Sequence, residues 1–178
     1  MNKQIFSENE FRIIPIRVSD RFKIMNWRNE QIYHLRQKKK LTTSAQDLYF
    51  NEVIEKQFSQ SKPDQILFSF FHKDIFVGYG GLVHIDWKSK KSEISFLMST
   101  KLEKTYFETY WTHFLILIEK VGFFELSLQK LYLVVFDLRP KLYPIIESSN
   151  YFLESHLKDG YNHGNRFYDI RTYTKHQK

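Results

Sequence analysis

Ser92-Glu93-Ile94-Ser95-Phe96-Leu97-Met98 is followed by the helix-spaced residues Tyr106, Phe107, Tyr110, Trp111, Phe114, Leu115, Leu117, Ile118 and Val121, and then by Leu131-Tyr132-Leu133-Val134-Val135-Phe136. The first segment reads as a strand. From Thr105 the apolar residues recur every three to four positions, the period of a long amphipathic helix. The last segment is a continuous apolar run, as expected of a strand covered on both faces. Strand, long helix and buried strand in that order predict a parallel crossover.

Upstream, Ile66-Leu67-Phe68-Ser69-Phe70-Phe71 and Phe76 to Ile85 read as two further strands, separated by a Lys73-Asp74 turn. With residues 92–98 they predict an antiparallel meander. Phe11 to Ile16 reads as a strand, with Pro15 marking an edge or an end. Helices are predicted after Ser19-Asp20, reaching Asn29, and after Thr42-Thr43-Ser44. Downstream, residues 141–149 read as a short helix with Pro144 in its first turn and Asn150 ending it. Strands at Tyr151-Phe152-Leu153 and Asp169 to Tyr173, with Gly160–Gly164 as the loop between, complete the order β-α-α-β-β-β-α-β-α-β-β. The expectation is one domain over residues 1–178, of α/β class.

Composition narrows the function. Hydrophobic residues are 42% of the 178 and charged residues 26%, the balance of a packed domain. The absence of cysteine excludes disulfides, thiolate metal sites and a cysteine nucleophile. No run of about 18 apolar residues occurs and the N-terminal residues lack an apolar signal core, so a cytoplasmic protein with no membrane partner is expected. A net charge of +7 and 17% aromatic residues suit either nucleic acid or an anionic small molecule. No groove-reading helix or stacking motif is evident, so nucleic acid is not the expected partner. The seven histidines show no helical i, i+4 pair with acidic neighbours, and no metal is expected. Gly78, Gly80 and Gly81 lie inside a meander strand with Val83 where a dinucleotide fingerprint needs its third glycine. They predict a bulge or close approach by a ligand instead. Lys38-Lys39-Lys40 reads as a solvated loop.

The element order, together with Trp27-Arg28-Asn29-Glu30, Gly78 to Trp87, Glu93-Ile94-Ser95-Phe96, Tyr110-Trp111 and Phe136-Asp137-Leu138-Arg139-Pro140, resembles the GCN5-related N-acetyltransferases. Within them it is similar to a branch associated with surface-polysaccharide and amino-sugar biosynthesis. The resemblance implies one mixed, mostly antiparallel sheet with helices on both faces. It implies a V-shaped splay between the fourth and fifth strands, with acetyl-CoA as cosubstrate. The implied function is acetyl transfer to a primary amine of a small molecule, an amino sugar or nucleotide-linked amino sugar first. Protein N-termini, aminoglycosides and polyamines are the alternatives, followed by a catalytically silent CoA-binding or basic nucleic-acid-binding module. A homodimer is possible.

On the same basis the pantetheine arm would lie along Ser95, Phe96, Leu97 and Met98, facing Phe136. The phosphates would meet Ser99, Lys101, Lys104 and Thr105. The family loop here is rich in glycine, whereas 99–104 contains none, which implies a reshaped phosphate contact. Glu93 is the first candidate base and His84 the second, because imidazole titrates near neutrality. The tyrosine that commonly protonates the departing thiolate falls at Ile146, and Tyr143, one turn earlier, is the candidate substitute. Trp27, Arg28 and Asn29, by stacking, anion binding and hydroxyl binding, are the acceptor candidates, with Asp86 for the ammonium. Arg36 and Arg139 are weaker anion candidates.

Overall fold

A computed structural model describes residues 3–177. The strands are β1 (Phe6–Glu8), β2 (Phe11–Pro15), β3 (Ile66–His72), β4 (Ile75–Asp86), β5 (Lys91–Met98), β6 (Lys130–Phe136), β7 (Phe152–His163) and β8 (Arg166–His176). They form one sheet in the order β1-β2-β3-β4-β5-β6-β8-β7. Every pairing is antiparallel except β5 with β6. The expected parallel crossover is therefore present, and α4 (Glu103–Glu119) bridges it.

Period two in the strands and 3.6 in the helices place the core. Ile94, Phe96 and Met98 of β5 point to the α4 face, where Phe114, Leu115, Leu117 and Ile118 are fully buried. Leu97 points to the opposite face. There it meets Ile24 of α1 (Arg21–Glu30), Tyr79, and Phe50 and Ile54. The last two lie in a wide π turn between α2 (Thr43–Tyr49) and α3 (Glu55–Phe58). The hydroxyl of Thr42 caps α2 by accepting from the Ala45 N–H at 3.2 Å. Asp20 caps nothing: it is buried, and accepts from both Arg17 and Ser69. α5 (Tyr143–Ser148) holds Pro144 in its first turn and ends at Asn150, φ 62°.

Three expectations need correction or extension. β1 is an added edge strand, so the splayed pair is the fifth and sixth strands of the sheet. The bulge expected at the glycines is one of two in β4: Val77, beside Gly78, has no partner in β3, and a second bulge falls at His84, φ 50°, between Val83 and Asp86. The final hairpin is longer than residues 151–173 suggested, and Gly160 lies within β7, the turn being at Gly164-Asn165. β7 is an outer edge exposed on both sides, so burial leaves no apolar alternation in its sequence.

β5 and β6 pair only at Lys91/Lys130, Ser92/Leu131 and Glu93/Tyr132. Beyond these, Ile94–Met98 has no partner in β6, while β6 stays paired with β8 through Phe136. The sheet splits there into a wedge. The Ser99 N–H donates to Val77 O at 2.8 Å, toward β4, whereas Met98 O accepts from the Gln31 amide at 2.9 Å on the other side. By the alternation of a strand, the backbone groups of Ile94, Phe96 and Met98 face the opening.

The glycines of β4 allow this tight register. A Cβ at Gly80 would lie 2.2 Å from Ser95 O, and one at Gly81 would lie 2.0 Å from Ile66 O, both backbone atoms that cannot swing aside. Gly81→Ala is expected to destabilise the fold by about 1–3 kcal/mol or more through strand displacement. Urea unfolding checks this, and a loss below about 0.5 kcal/mol would show that the strands are free to part.

Candidate active site

The wedge opens into a cavity of about 410 Å³. Ile94, Ser95 and Phe96 line one wall, Leu133 to Phe136 the other, and Trp111 of α4 contributes from the core side. A second cavity of about 250 Å³ lies between α1, α2 and the sheet. Arg28, Gln65, Val83 and Ser95 line both.

Glu93 occupies the apex, where the two strands last pair. Although 8% exposed, it is fully engaged. Arg36 donates to Oε1 at 3.0 Å and to Oε2 at 3.3 Å, and His84 Nδ1 lies 3.0 Å from Oε2. The bulge at His84 turns its imidazole out of the strand's alternation toward this carboxylate. Among the described residues Nε2 of His84 has no partner, and its side chain is 63% exposed. Carboxylate and imidazole thus form a dyad, and both residues line the cavity.

Arg36 reaches Glu93 from the strap of residues 35–42 between α1 and α2. Asn29 holds that strap: its Oδ1 accepts from the Leu41 N–H at 2.7 Å and its Nδ2 donates to Leu41 O at 2.8 Å. Gln37 donates to Asn29 at 3.1 Å and accepts from Arg28 Nε at 2.9 Å. Arg28 Nη1 donates to the Tyr79 hydroxyl at 2.8 Å. Asn29 is therefore a clasp for the strap rather than a free group awaiting hydroxyls. Trp27 stacks at a tilt on Phe76, centroids 4.9 Å apart, and lines neither cavity. Asp86 receives the Ser89 N–H at 2.8 Å and starts the β4–β5 turn, away from both cavities. Of the acceptor candidates, Arg28 alone faces the cavities.

The cofactor candidates divide similarly. Ser95, Phe96 and Phe136 line the wedge. Leu97 and Met98 are buried in the cores on opposite faces. Ser99 is buried, while Lys101, Lys104 and Thr105 are exposed at the start of α4, where free N–H groups and the helix dipole favour anions. In place of glycines, the loop before α4 is a single 3-10 turn (Thr100–Leu102), pinned by Gln31 to Met98 O and Thr100 and by Glu30 to the Thr100 hydroxyl. Tyr143 points elsewhere. Its hydroxyl donates to Asp137 at 2.7 Å, and burial first, then Asp137, raises its pKa beyond the ordinary range. It does not line the wedge.

Arg139, a weaker anion candidate in the sequence, lines the wedge beside His34, and sequence reading missed both His34 and the Glu103 that pairs with Arg139. Arg139 is 7% exposed, donates to Glu103, and gives Nη1 to His34 Nε2 at 3.0 Å. Burial, then the nearby Arg139 and Lys141, hold the pKa of His34 down to about 3 from 6.5. His34 is thus neutral when folded, whereas the unfolded chain protonates it near 6.5. Its contribution is fully present above pH 6.5 and is lost as pH falls toward 3, by up to about 1.4 kcal/mol per pH unit. His34→Gln is expected to flatten the acid side of the stability profile, read from urea midpoints between pH 7 and 4. An unchanged slope would show that His34 is solvated.

Among the described residues no group of three or more His, Cys, Asp or Glu side chains is placed to hold a metal, and no helix is long and apolar enough to cross a membrane.

With this geometry in view, residues 13–171 match the family model described as "Acetyltransferase (GNAT) domain". The chain is a GNAT acetyltransferase. No curated protein matches it. Among solved structures it is similar to the spermidine N-acetyltransferase of Vibrio cholerae in complex with CoA and spermine. Identity there is 17% over 96% of this chain and 97% of that one, with a TM-score of 0.80. A dodecameric form of the V. cholerae enzyme, in an intermediate state, matches at 19% identity over 96% and 95%, TM-score 0.76. At such identities the likeness concerns the fold. The GNAT sheet with helices on both faces is as the sequence implied, while nothing in the comparisons supports the polysaccharide branch.

Proposed function

We propose that this GNAT protein transfers the acetyl group of acetyl-CoA to a primary amine of a small molecule, and that the wedge between β5 and β6 holds the pantetheine arm. The observation that carries this reading is the row of unpaired backbone groups at Ile94 and Phe96, which offers a thin amide-bearing chain the pairing of an added strand. The wall fits such a chain. Trp111 Nε1 and Arg139 Nε are buried donors that meet no acceptor among the described residues. Lys101, Lys104 and Thr105 would meet the phosphates at the start of α4.

When bound, acetyl-CoA supplies an activated acyl thioester. The chain's own groups do the rest. Backbone N–H groups of β5 are placed to polarise a carbonyl lying along them. His84 Nε2 takes the proton of the attacking amine, and Glu93, through Nδ1, holds the ring in the productive tautomer. Glu93, held by Arg36, is in this reading a positioning residue and not the base. As the amide C–N bond forms the thioester C–S bond would break, and CoA would leave as thiolate and take its proton from solvent, because Tyr143 is engaged by Asp137. Holding amine and thioester together in one cavity provides much of the acceleration.

The comparisons lend a polyamine acceptor more support than an amino sugar, since the solved structures above are spermidine N-acetyltransferases. The cysteine-free chain suits a reducing cytoplasm. A second copy could assemble on the edge strand β7, where Phe152, Leu153 and Leu157 are exposed. The test is to incubate the protein with acetyl-CoA and an amine panel, reading thiol release and product mass. Acetylated amine is expected, and absence of both acetyl-CoA binding and any product overturns the proposal.

A further inference from the structure

Eight arginines occur in the chain, and six have a carboxylate within 4.0 Å: Arg12, Arg17, Arg21, Arg36, Arg139 and Arg171. Of the other two, Arg166 is exposed at the turn of the last hairpin. Arg28 is half-buried between α1 and β4. Its partners are the neutral Gln37 carbonyl oxygen and the neutral Tyr79 hydroxyl, and its Nη2 has no partner among the described residues. Among the described residues it is also the only charged one lining the 250 Å³ cavity.

A guanidinium removed from water without a counter-charge is costly unless something completes it. The neighbouring side chains offer no anion. The wedge cavity, which Arg28 also lines, has two carboxylates, of which Glu93 is held by Arg36 and His84, and Asp64 is exposed. Lys38, Lys39 and Lys40, exposed on the strap directly before the cavity-lining Leu41, add charge of the same sign. A polycation would find one free carboxylate here against an unneutralised arginine and three lysines. An anion would find a planar fork held in orientation by Gln37 and Tyr79, with one arm free.

We infer that Arg28 is a specificity-determining residue that binds a carboxylate or phosphate of the acceptor, so that the substrate is an amine bearing an anionic group rather than a polyamine. This rests on the acetyltransferase reading above and selects among its acceptors. The amine end would extend into the wedge toward His84, since Arg28 and His84 line the same 410 Å³ cavity.

The experiment uses the full-length protein with acetyl-CoA and matched acceptors: glucosamine against glucosamine 6-phosphate, butylamine against 4-aminobutyrate, and spermidine. The phosphate and carboxylate arms distinguish the two sources of anion. At least one anionic acceptor is expected to exceed its neutral twin tenfold or more in kcat/KM, and Arg28→Gln to reduce that ratio at least tenfold. Arg28→Lys, which keeps the charge but not the fork, should fall between them. Should the panel contain no acceptor, inorganic phosphate is titrated calorimetrically into the CoA-saturated protein, so that only a site apart from CoA responds. Binding to wild type that weakens at least tenfold in Arg28→Gln supports the inference. Spermidine as the best acceptor, an unchanged ratio in Arg28→Gln, or phosphate binding that is absent or indifferent to Arg28 overturns it. Acetyl-CoA affinity, measured in parallel on wild type and variant, separates the outcomes: without it the acetyltransferase reading fails, whereas with it only the anionic acceptor fails. A retained acetyl-CoA affinity in the variant also shows that it folds.

Discussion

His84→Asn is expected to lower kcat/KM by about 10²–10⁴-fold, the usual range for removing a general base. Asparagine is the informative replacement because position 84 has φ 50°, a left-handed conformation that asparagine tolerates better than most residues. The bulge that aims the side chain should therefore survive, and the loss reads as chemistry rather than unfolding. The side chain is 63% exposed, so little packing is lost with it. The measurement is the pH profile of kcat/KM for wild type and variant. Wild type should rise through the titration of a base and level off, and the variant should lose that limb. A reduction below about threefold with the limb intact would assign proton removal to solvent.

In the proposed reading Glu93 gives way to His84 as base, which reverses the order read from the sequence, where Glu93 is the first candidate and His84 the second. Both oxygens of Glu93 are engaged by Arg36 and His84. Glu93→Gln leaves the imidazole in place and is expected to cost less than His84→Asn. It should also displace the limb of the pH profile, which a purely structural carboxylate would leave alone. The Arg36–Glu93 bond links the strap of residues 35–42 to the apex of the wedge, so the variant also tests whether the strap's order depends on it.

The parts legible in the sequence are those set by local periodicity. The alternation at Ile94–Met98, the helical spacing from Tyr106 to Val121 and the apolar run at Leu131 to Phe136 each reflect burial that the neighbouring residues themselves announce. The family pattern then placed the wedge correctly. The site was less legible because its groups are joined by contacts distant in sequence. Asn29 and Trp27 look like binding groups by type, yet one clasps Leu41 and the other packs on Phe76. Nothing local distinguishes a free asparagine from a clasp. Arg36 meets Glu93 across 57 positions and Arg139 meets Glu103 across 36. Such pairings depend on how the strap and α4 settle, and charge type gives no register. His84 had the clearest obtainable signal: a polar residue that breaks the apolar run of β4 close to its turn, where a bulge re-aims one side chain.

The pairing of Arg139 with Glu103 sets the last expectation, a loss of about 3–5 kcal/mol for Glu103→Ala. Arg139 is 7% exposed, and burial pushes its pKa down while Glu103, the largest opposing influence, pushes it up. Glu103 itself is nearly as buried. Removing the carboxylate leaves the guanidinium with His34 at 3.0 Å and the face of Phe107, 4.8 Å to the centroid. His34, whose ring is either neutral or cationic, cannot supply the missing negative charge. Stability of a domain is commonly about 5–15 kcal/mol, so the loss is a large share of the whole. The control is the double variant Glu103→Leu/Arg139→Met, which removes both charges and should recover most of the loss, because two apolar side chains need no counter-charge. Urea unfolding of the two single variants and the double measures the coupling directly. A cost under about 1 kcal/mol for Glu103→Ala would mean that water reaches Arg139. The same variants report on the wedge, since Arg139 lines it and Glu103 begins α4. If the ion pair fixes the mouth of the opening, acetyl-CoA affinity should weaken in Glu103→Ala even at temperatures where the protein remains folded, and an unchanged affinity would confine the pair to stability.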